Sequence, residues 1–318
     1  MIEQSISLCC IVLLLIGCAV ADTADAPVDV TATAVPLSDQ APEQTEIGTL
    51  RYLGGLSLTA NEKWFGGFSG LRWRDGRLYS VSDKGAWISF EVVEKAGILE
   101  GIKSVAHGRL KGRDGARLSG KKKSDAESLA IANNGDWLVG FERDHRIERY
   151  TTLDAAAQET EYDLPALFGH ISQNRGLETF AKTEAGIFGC VERQSTVAPN
   201  CMFVEGDGKK PVAVTPPTPL DKLGATPTDA VTGADGEIFI LFRSYSSADG
   251  NGAAIVRIGI DGSTEALAVL RPPMTLDNME GLAYRAVGAR KFLYLISDDN
   301  FSPSQRTLLM KFEIIEAG

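Results

Sequence analysis

A carboxylate recurs at the head of a short apolar run. It is Glu127 in ESLAIANNGDWLVGFER, Glu178 in ETFAKTEAGIFGCVER, Asp229 in DAVTGADGEIFILFRS and Glu280 in EGLAYRAVGARKFLYLISDD. Ser69 holds the same place in SGLRWRDGRLYSVSD, and successive heads lie 58, 51, 51 and 51 residues apart. Four acids and a hydroxyl converging on one point repel one another unless a cation lies between them. Oxygen-only donors in a fivefold ring suit Ca2+, which accepts pentagonal-bipyramidal geometry, better than octahedral Mg2+. The expected Ca2+ ligands are therefore Ser69, Glu127, Glu178, Asp229 and Glu280, with Asp229, one methylene shorter, bound directly or through water. The alternative is that these acids cap strands or face a wet channel; their recurrence in register favours the metal.

A second column follows the first: Asp83-Lys84, Glu142-Arg143, Glu192-Arg193, Phe242-Arg243 and Asp298-Asp299. Guanidiniums grouped around a cation make a site for phosphate or carboxylate. Arg143, Arg193 and Arg243 are expected to stabilise charge on a reacting group, and Glu142 or Asp298 to orient water. Lys84 and Arg175 would join that rim. Solvated Glu–Arg pairs are the ordinary alternative for any one of them. His107, His145 and His170 are too dispersed for a His-based metal site. His145 and His170 fall on the rim side, where either could act as a general acid or base. No GxSxG, HExxH or P-loop motif occurs. The basic GKKK stretch, 120–123, reads as a solvated loop.

The elements that must position these residues are hairpins. Each unit is an apolar run, a turn of Gly, Asp or Asn, and a second run rich in β-branched and aromatic residues. Two more strand-like runs follow in each unit, such as WISFEVVE and SVAHGRL after the first hairpin. Four strands in about fifty residues make a β-propeller blade. The last unit has three strands, so TLRYLGGLSL at 49–58 is expected to supply the fourth and close the ring. The expected fold is all-β, a five-bladed propeller; a sixth blade would need about fifty residues more than 49–318 provides.

The N-terminal run ISLCCIVLLLIG has the length of a signal-peptide core and runs into Leu15-Ile16-Gly17-Cys18, which resembles a lipobox. MIEQ, however, lacks the usual Lys or Arg. The expected organisation is a lipoprotein signal at 1–17, lipidation at Cys18, a flexible tether at 18–48 rich in Ala, Thr, Pro and acids, and the propeller at 49–318. A periplasmic protein, lipid-anchored to a Gram-negative envelope and monomeric, follows from that reading. In an oxidising periplasm Cys190 and Cys201, on successive predicted strands, either form a disulfide or remain two buried thiols. The net charge of −10 argues against nucleic acid and against membrane contact other than a lipid anchor.

FGGFSGLRW, LKGRDGARLSGKKKSDAESLA, NRGLETFA and MEGLAY…LISDDNFSPSQRTLLMKFEI resemble the bacterial family called esterase-like activity of phytase, from about residue 49 to 316. Ser128 and Thr179 stand where that pattern has Gly after the acid. The resemblance implies hydrolysis of a small phosphorylated or ester substrate. More distantly, SGLRWRDGRLYSVSD is similar to five-bladed calcium-activated nucleotidases (apyrases), which implies an axial Ca2+ with Ser69 as one ligand. Two alternatives stay open: a non-catalytic propeller pinned by Ca2+ that binds an envelope partner, and a calcium-dependent lactonase.

Overall fold

The computed structural model describes residues 28–168, 176–191, 200–206 and 208–315. Its strands form five sheets. Blade 1 runs through Phe68–Arg74, Arg77–Ser82, Ala86–Lys95 and Ile98–Arg109. Blade 2 comprises Ala126–Ile131, Trp137–Phe141, Arg146–Tyr150 and Gln158–Glu159, and blade 3 Thr179–Lys182, Ile187–Val191, Asn200–Glu205 and Gly208–Val212. Blade 4 comprises Thr226–Thr232, Ile238–Ser246, Gly250–Ile258 and Thr264–Leu270. Blade 5 takes Asn278–Val287, Arg290–Asp298 and Thr307–Ile314 from the C-terminal part and Leu50–Thr59 from the N-terminal part. That last pairing runs from Thr307 opposite Leu58 to Ile314 opposite Leu50, the expected closure of the ring.

The core explains why the strands are so apolar. It falls into five patches of buried side chains, and each patch joins two neighbouring blades. Phe68, Leu71 and Phe90 of blade 1 pack on Leu56, Tyr294 and Ile296 of blade 5, and Val81 and Trp87 on Leu129 and Val139 of blade 2. Ala130 and Leu138 meet Phe180 and Ile187, Phe188 meets Ile240, and Leu241 meets Leu293, which completes the circle. A strand clamped between two blades is buried on both faces. This is why Ile238-Phe239-Ile240-Leu241-Phe242 shows no polar alternation. Inner strands also approach closely: a Cβ on Gly70, whose φ is +59°, would lie 2.7 Å from the Leu129 backbone nitrogen.

The expected tether is in part structured. Thr31–Val35 pairs antiparallel with the outer strand of blade 5, from Thr31 opposite Thr59 to Val35 opposite Gly55, and Glu46–Ile47 folds back on Leu50 and Arg51. Leu37 is fully buried in the blade 4–blade 5 core. The composition of this segment suggested a linker, but it covers a sheet edge that would otherwise be open. The helices among the described residues are single turns, Lys121–Ser124, Leu164–Phe168 and the 3-10 turn Leu220–Leu223. Cys190 and Cys201 face each other across one strand pair with Cα atoms 4.0 Å apart and are joined by a disulfide. Residues 1–17 and Cys18 lie outside the described residues.

Candidate functional site

Because strands alternate in direction, the start of each inner strand and the end of the next share one end of the channel. Glu127 and Glu280 are β-bulge residues there. Pairing passes from Ala126 to Ser128 and from Met279 to Gly281, skipping each glutamate and freeing it from the ladder. Glu127 Oε2 accepts a 2.9 Å hydrogen bond from the Ser69 hydroxyl. Desolvation, and then the charges of Asp125, Glu178 and Glu280, hold the Glu127 carboxyl well above the usual range against that one hydrogen bond. Glu178 stands directly before its strand.

Asp125, Glu127 and Glu142 each offer an oxygen within 4.8 Å of the others, a group able to hold a metal ion. Asp125 is fully buried; its Oδ2 lies 2.6 Å from Arg143 Nε and its Oδ1 3.1 Å from Lys121 Nζ. Glu142 is 8% exposed, and its N–H donates to the Asp125 carbonyl at 2.8 Å. The donors are all carboxylate or hydroxyl oxygens, which fit a hard divalent cation and not a soft one. Burial first, and then repulsion among the acids, raises the Glu127 pKa, and a bound cation would relieve that repulsion.

Two arginines pair with members of this acidic group. Arg143 adopts φ +62°, rare for a residue with a side chain, and so turns the end of its strand toward Asp125. Arg243 Nε lies 2.8 Å from Glu280 Oε1, which also accepts a hydrogen bond from Asn278 Nδ2 at 2.9 Å. Lys84 Nζ sits 2.9 Å from the centre of the Phe301 ring. Asp298 is raised to about 7, chiefly by burial; the Asn300 N–H opposes this, and Glu280, Asp83 and Asp299 add repulsion. Asp299, by contrast, is a loop-holding group that accepts from the N–H groups of Gly67 and Phe301 and from the Thr307 hydroxyl.

Asp229 does not join the expected ligand ring. In blade 4 the skipped residue is Thr228, so Asp229 stands one position further along the strand. There it is fully buried, with Oδ2 2.8 Å and Oδ1 3.0 Å from the two terminal nitrogens of Arg72. It also accepts from the N–H groups of Leu71, Leu282 and Ala230. Arg72 donates in turn to the carbonyls of Phe180, Ala230 and Leu282, tying blade 1 to blades 3, 4 and 5. A carboxylate with both oxygens so committed is an axial tie, not a metal ligand.

Other residues gain partners. Lys121 of the GKKK stretch is exposed, as expected, but it is also ion-paired: it reaches Asp83 at 2.9 Å as well as Asp125. His107 stacks on Trp64 with ring centres 4.4 Å apart. His145 and Glu142 pack against the chain entering blade 3 at Gly176, where a Cβ would lie 3.3 Å from the imidazole and 3.0 Å from the glutamate. Arg193, Glu192, Arg175 and His170 lie outside the described residues. Sequence reasoning missed Asp125, Lys121 and Arg72. The pattern Asp125-Ala126-Glu127, two acids two apart at a strand head, was the available signal for the first.

No protein of curated function matches the sequence. Solved structures resemble the chain in overall shape only. The α-L-arabinofuranosidase PaAbf62A of Podospora anserina is 9% identical, covering 84% of this chain and 97% of its own, with a TM-score of 0.48. Virginiamycin B lyase of Staphylococcus aureus is 10% identical over 91% of this chain and 100% of its own, with a TM-score of 0.41. The aldose sugar dehydrogenase of Streptomyces coelicolor is 14% identical over 90% and 99%, with a TM-score of 0.40. At those values none of them bears on activity. The phytase-like family, described as esterase-like activity of phytase, matches residues 63–301, which is 239 of the 318 residues, and the chain belongs to it.

Proposed function

We propose that this propeller is a Ca2+-dependent hydrolase of small phosphoesters, exported and held at the envelope by a lipid at Cys18. The observation that carries the reading is the acidic cluster in which half-buried Glu127 meets buried Asp125 and Glu142, with Arg143 and Arg243 paired to its members at one mouth of the channel. Glu127 is the common member of two groups, Asp125 and Glu142 on one side and Ser69, Glu178 and Glu280 on the other. A cation bound there supplies charge to polarise a phosphoryl oxygen and to acidify water. Arg143 and Arg243 stand where they can hold the anionic group. Asp298, at about 7, is suited to take a proton from water near neutral pH.

One observation favours a second reading, the non-catalytic calcium-pinned propeller: Arg143 and Arg243 are already engaged with Asp125 and Glu280. Release of phosphate or of carboxylate from aryl phosphate and aryl acetate esters, after chelation and after Ca2+ add-back, separates the two. The hydrolase reading requires Ca2+-dependent turnover that Asp298→Asn removes. Metal binding with no turnover of either ester class leaves the binding module.

A further inference from the structure

Asp125 presents a difficulty for any metal at this cluster. It is one of the three acids whose oxygens come within 4.8 Å, yet both its oxygens already face cations. Arg143, on Oδ2 at 2.6 Å, springs from the strand end at a left-handed backbone position and is 34% exposed. Lys121, on Oδ1, differs in each respect. Its side chain is 53% exposed, it comes from the connection between blades 1 and 2, and its ammonium divides itself between Asp125 at 3.1 Å and Asp83 at 2.9 Å. The turn that carries it is closed by the Lys123 and Ser124 N–H groups on the Gly120 carbonyl. The base of the side chain is therefore held, while its long stem is exposed and meets solvent around both ion pairs.

From this geometry, and resting on the metal reading above, we infer that Lys121 is a tethered counter-ion that occupies the cluster in the absence of metal and is handed over to the anionic group of the substrate when the cation binds. A divalent ion at Asp125 and a lysine ammonium 3.1 Å from the same carboxylate repel each other, and the exposed, flexible partner is the one that moves. Once displaced from Asp125 it stands on the rim beside Asp83 with the donor it had given to Asp125 released. An anion resting on the metal would meet it there. Metal and anion would then bind in order, the first creating the site for the second. Lys121 would set both the affinity for the cation and the need for the cation before the anion.

The test uses the full chain, stripped of metal, and two probes, Ca2+ alone and inorganic phosphate. Lys121→Gln is compared with Lys122→Gln, which removes the same charge from the same turn, at a lysine that forms no ion pair among the described residues. Calorimetry is expected to show Ca2+ binding about fivefold tighter to Lys121→Gln than to wild type, and near wild type for Lys122→Gln. Phosphate should bind wild type only with Ca2+ present, and should bind Lys121→Gln at least tenfold more weakly in the same conditions. Equal gains in Ca2+ affinity for the two variants would overturn the inference, since that is a diffuse charge effect. So would phosphate binding that Lys121→Gln leaves unchanged. Absence of Ca2+ binding to wild type, Lys121→Gln and Lys122→Gln alike would overturn the metal reading itself, and this inference with it.

Discussion

Replacing Glu127 by glutamine keeps the shape of the side chain and its hydrogen bond to Ser69 and removes its charge. In metal-free protein this should stabilise the fold. Like charges at the 4.8 Å spacing of the Asp125–Glu127–Glu142 group repel by about 3 kcal/mol per pair at an effective dielectric constant of about 20. Lys121 and Arg143 offset part of that through Asp125, which leaves a net gain of about 1–3 kcal/mol for the glutamine. In a melting experiment with chelator that is roughly 2–4 °C per kcal/mol. With Ca2+ at a hundred times its dissociation constant, wild type gains about 2.7 kcal/mol, and the variant, missing a ligand charge, gains little. The two melting curves should therefore exchange order between chelator and Ca2+. The gain also has a pH signature. Glu127 titrates higher in the folded than in the unfolded chain, so its contribution is intact below the unfolded value of about 4.3 and is lost as pH rises through the folded value. The advantage of glutamine should vanish near pH 3 and grow toward neutrality. A variant that melts below wild type in both media, at every pH, would mean that the Glu127 charge is not a cost to the metal-free fold.

Asp298 should behave alike. Its carboxyl, raised to about 7, makes metal-free wild type lose up to about 4 kcal/mol between pH 4 and pH 7, and Asp298→Asn should flatten that slope in pH-dependent urea unfolding. Arg72→Met should cost about 3–5 kcal/mol by stranding Asp229, and Arg72→Met with Asp229→Leu should recover most of it. Thiol titration of unfolded, unreduced protein should find Cys190 and Cys201 unreactive, and Cys201→Ser should cost about 3 kcal/mol.

The fold was legible because a blade is a local repeat. The inner-strand heads recur at a near-constant interval, and the three-stranded last unit left a vacancy that 49–58 fills. Thr31–Val35 was not legible, because its role is to cover an edge, a task that composition does not announce. The site was legible in its members more than in its register. Glu127 and Glu280 mark bulges, but in blade 4 the bulge falls at Thr228, and that one-residue offset sends Asp229 to Arg72. Repeat alignment cannot see a bulge, since the pairing that defines it lies on the next strand. Lys121 was missed for a related reason: a run of three lysines looks solvated until the chain folds its first member over Asp83 and Asp125.

The most direct test of the central claim is a crystal of the full propeller grown with Ca2+ and measured for the anomalous signal of the ion. One strong peak is expected at the channel mouth, with oxygens of Glu127 and its carboxylate neighbours about 2.3–2.6 Å away. A mouth that holds only water at saturating Ca2+, with Glu127 still bonded to Ser69, would contradict it.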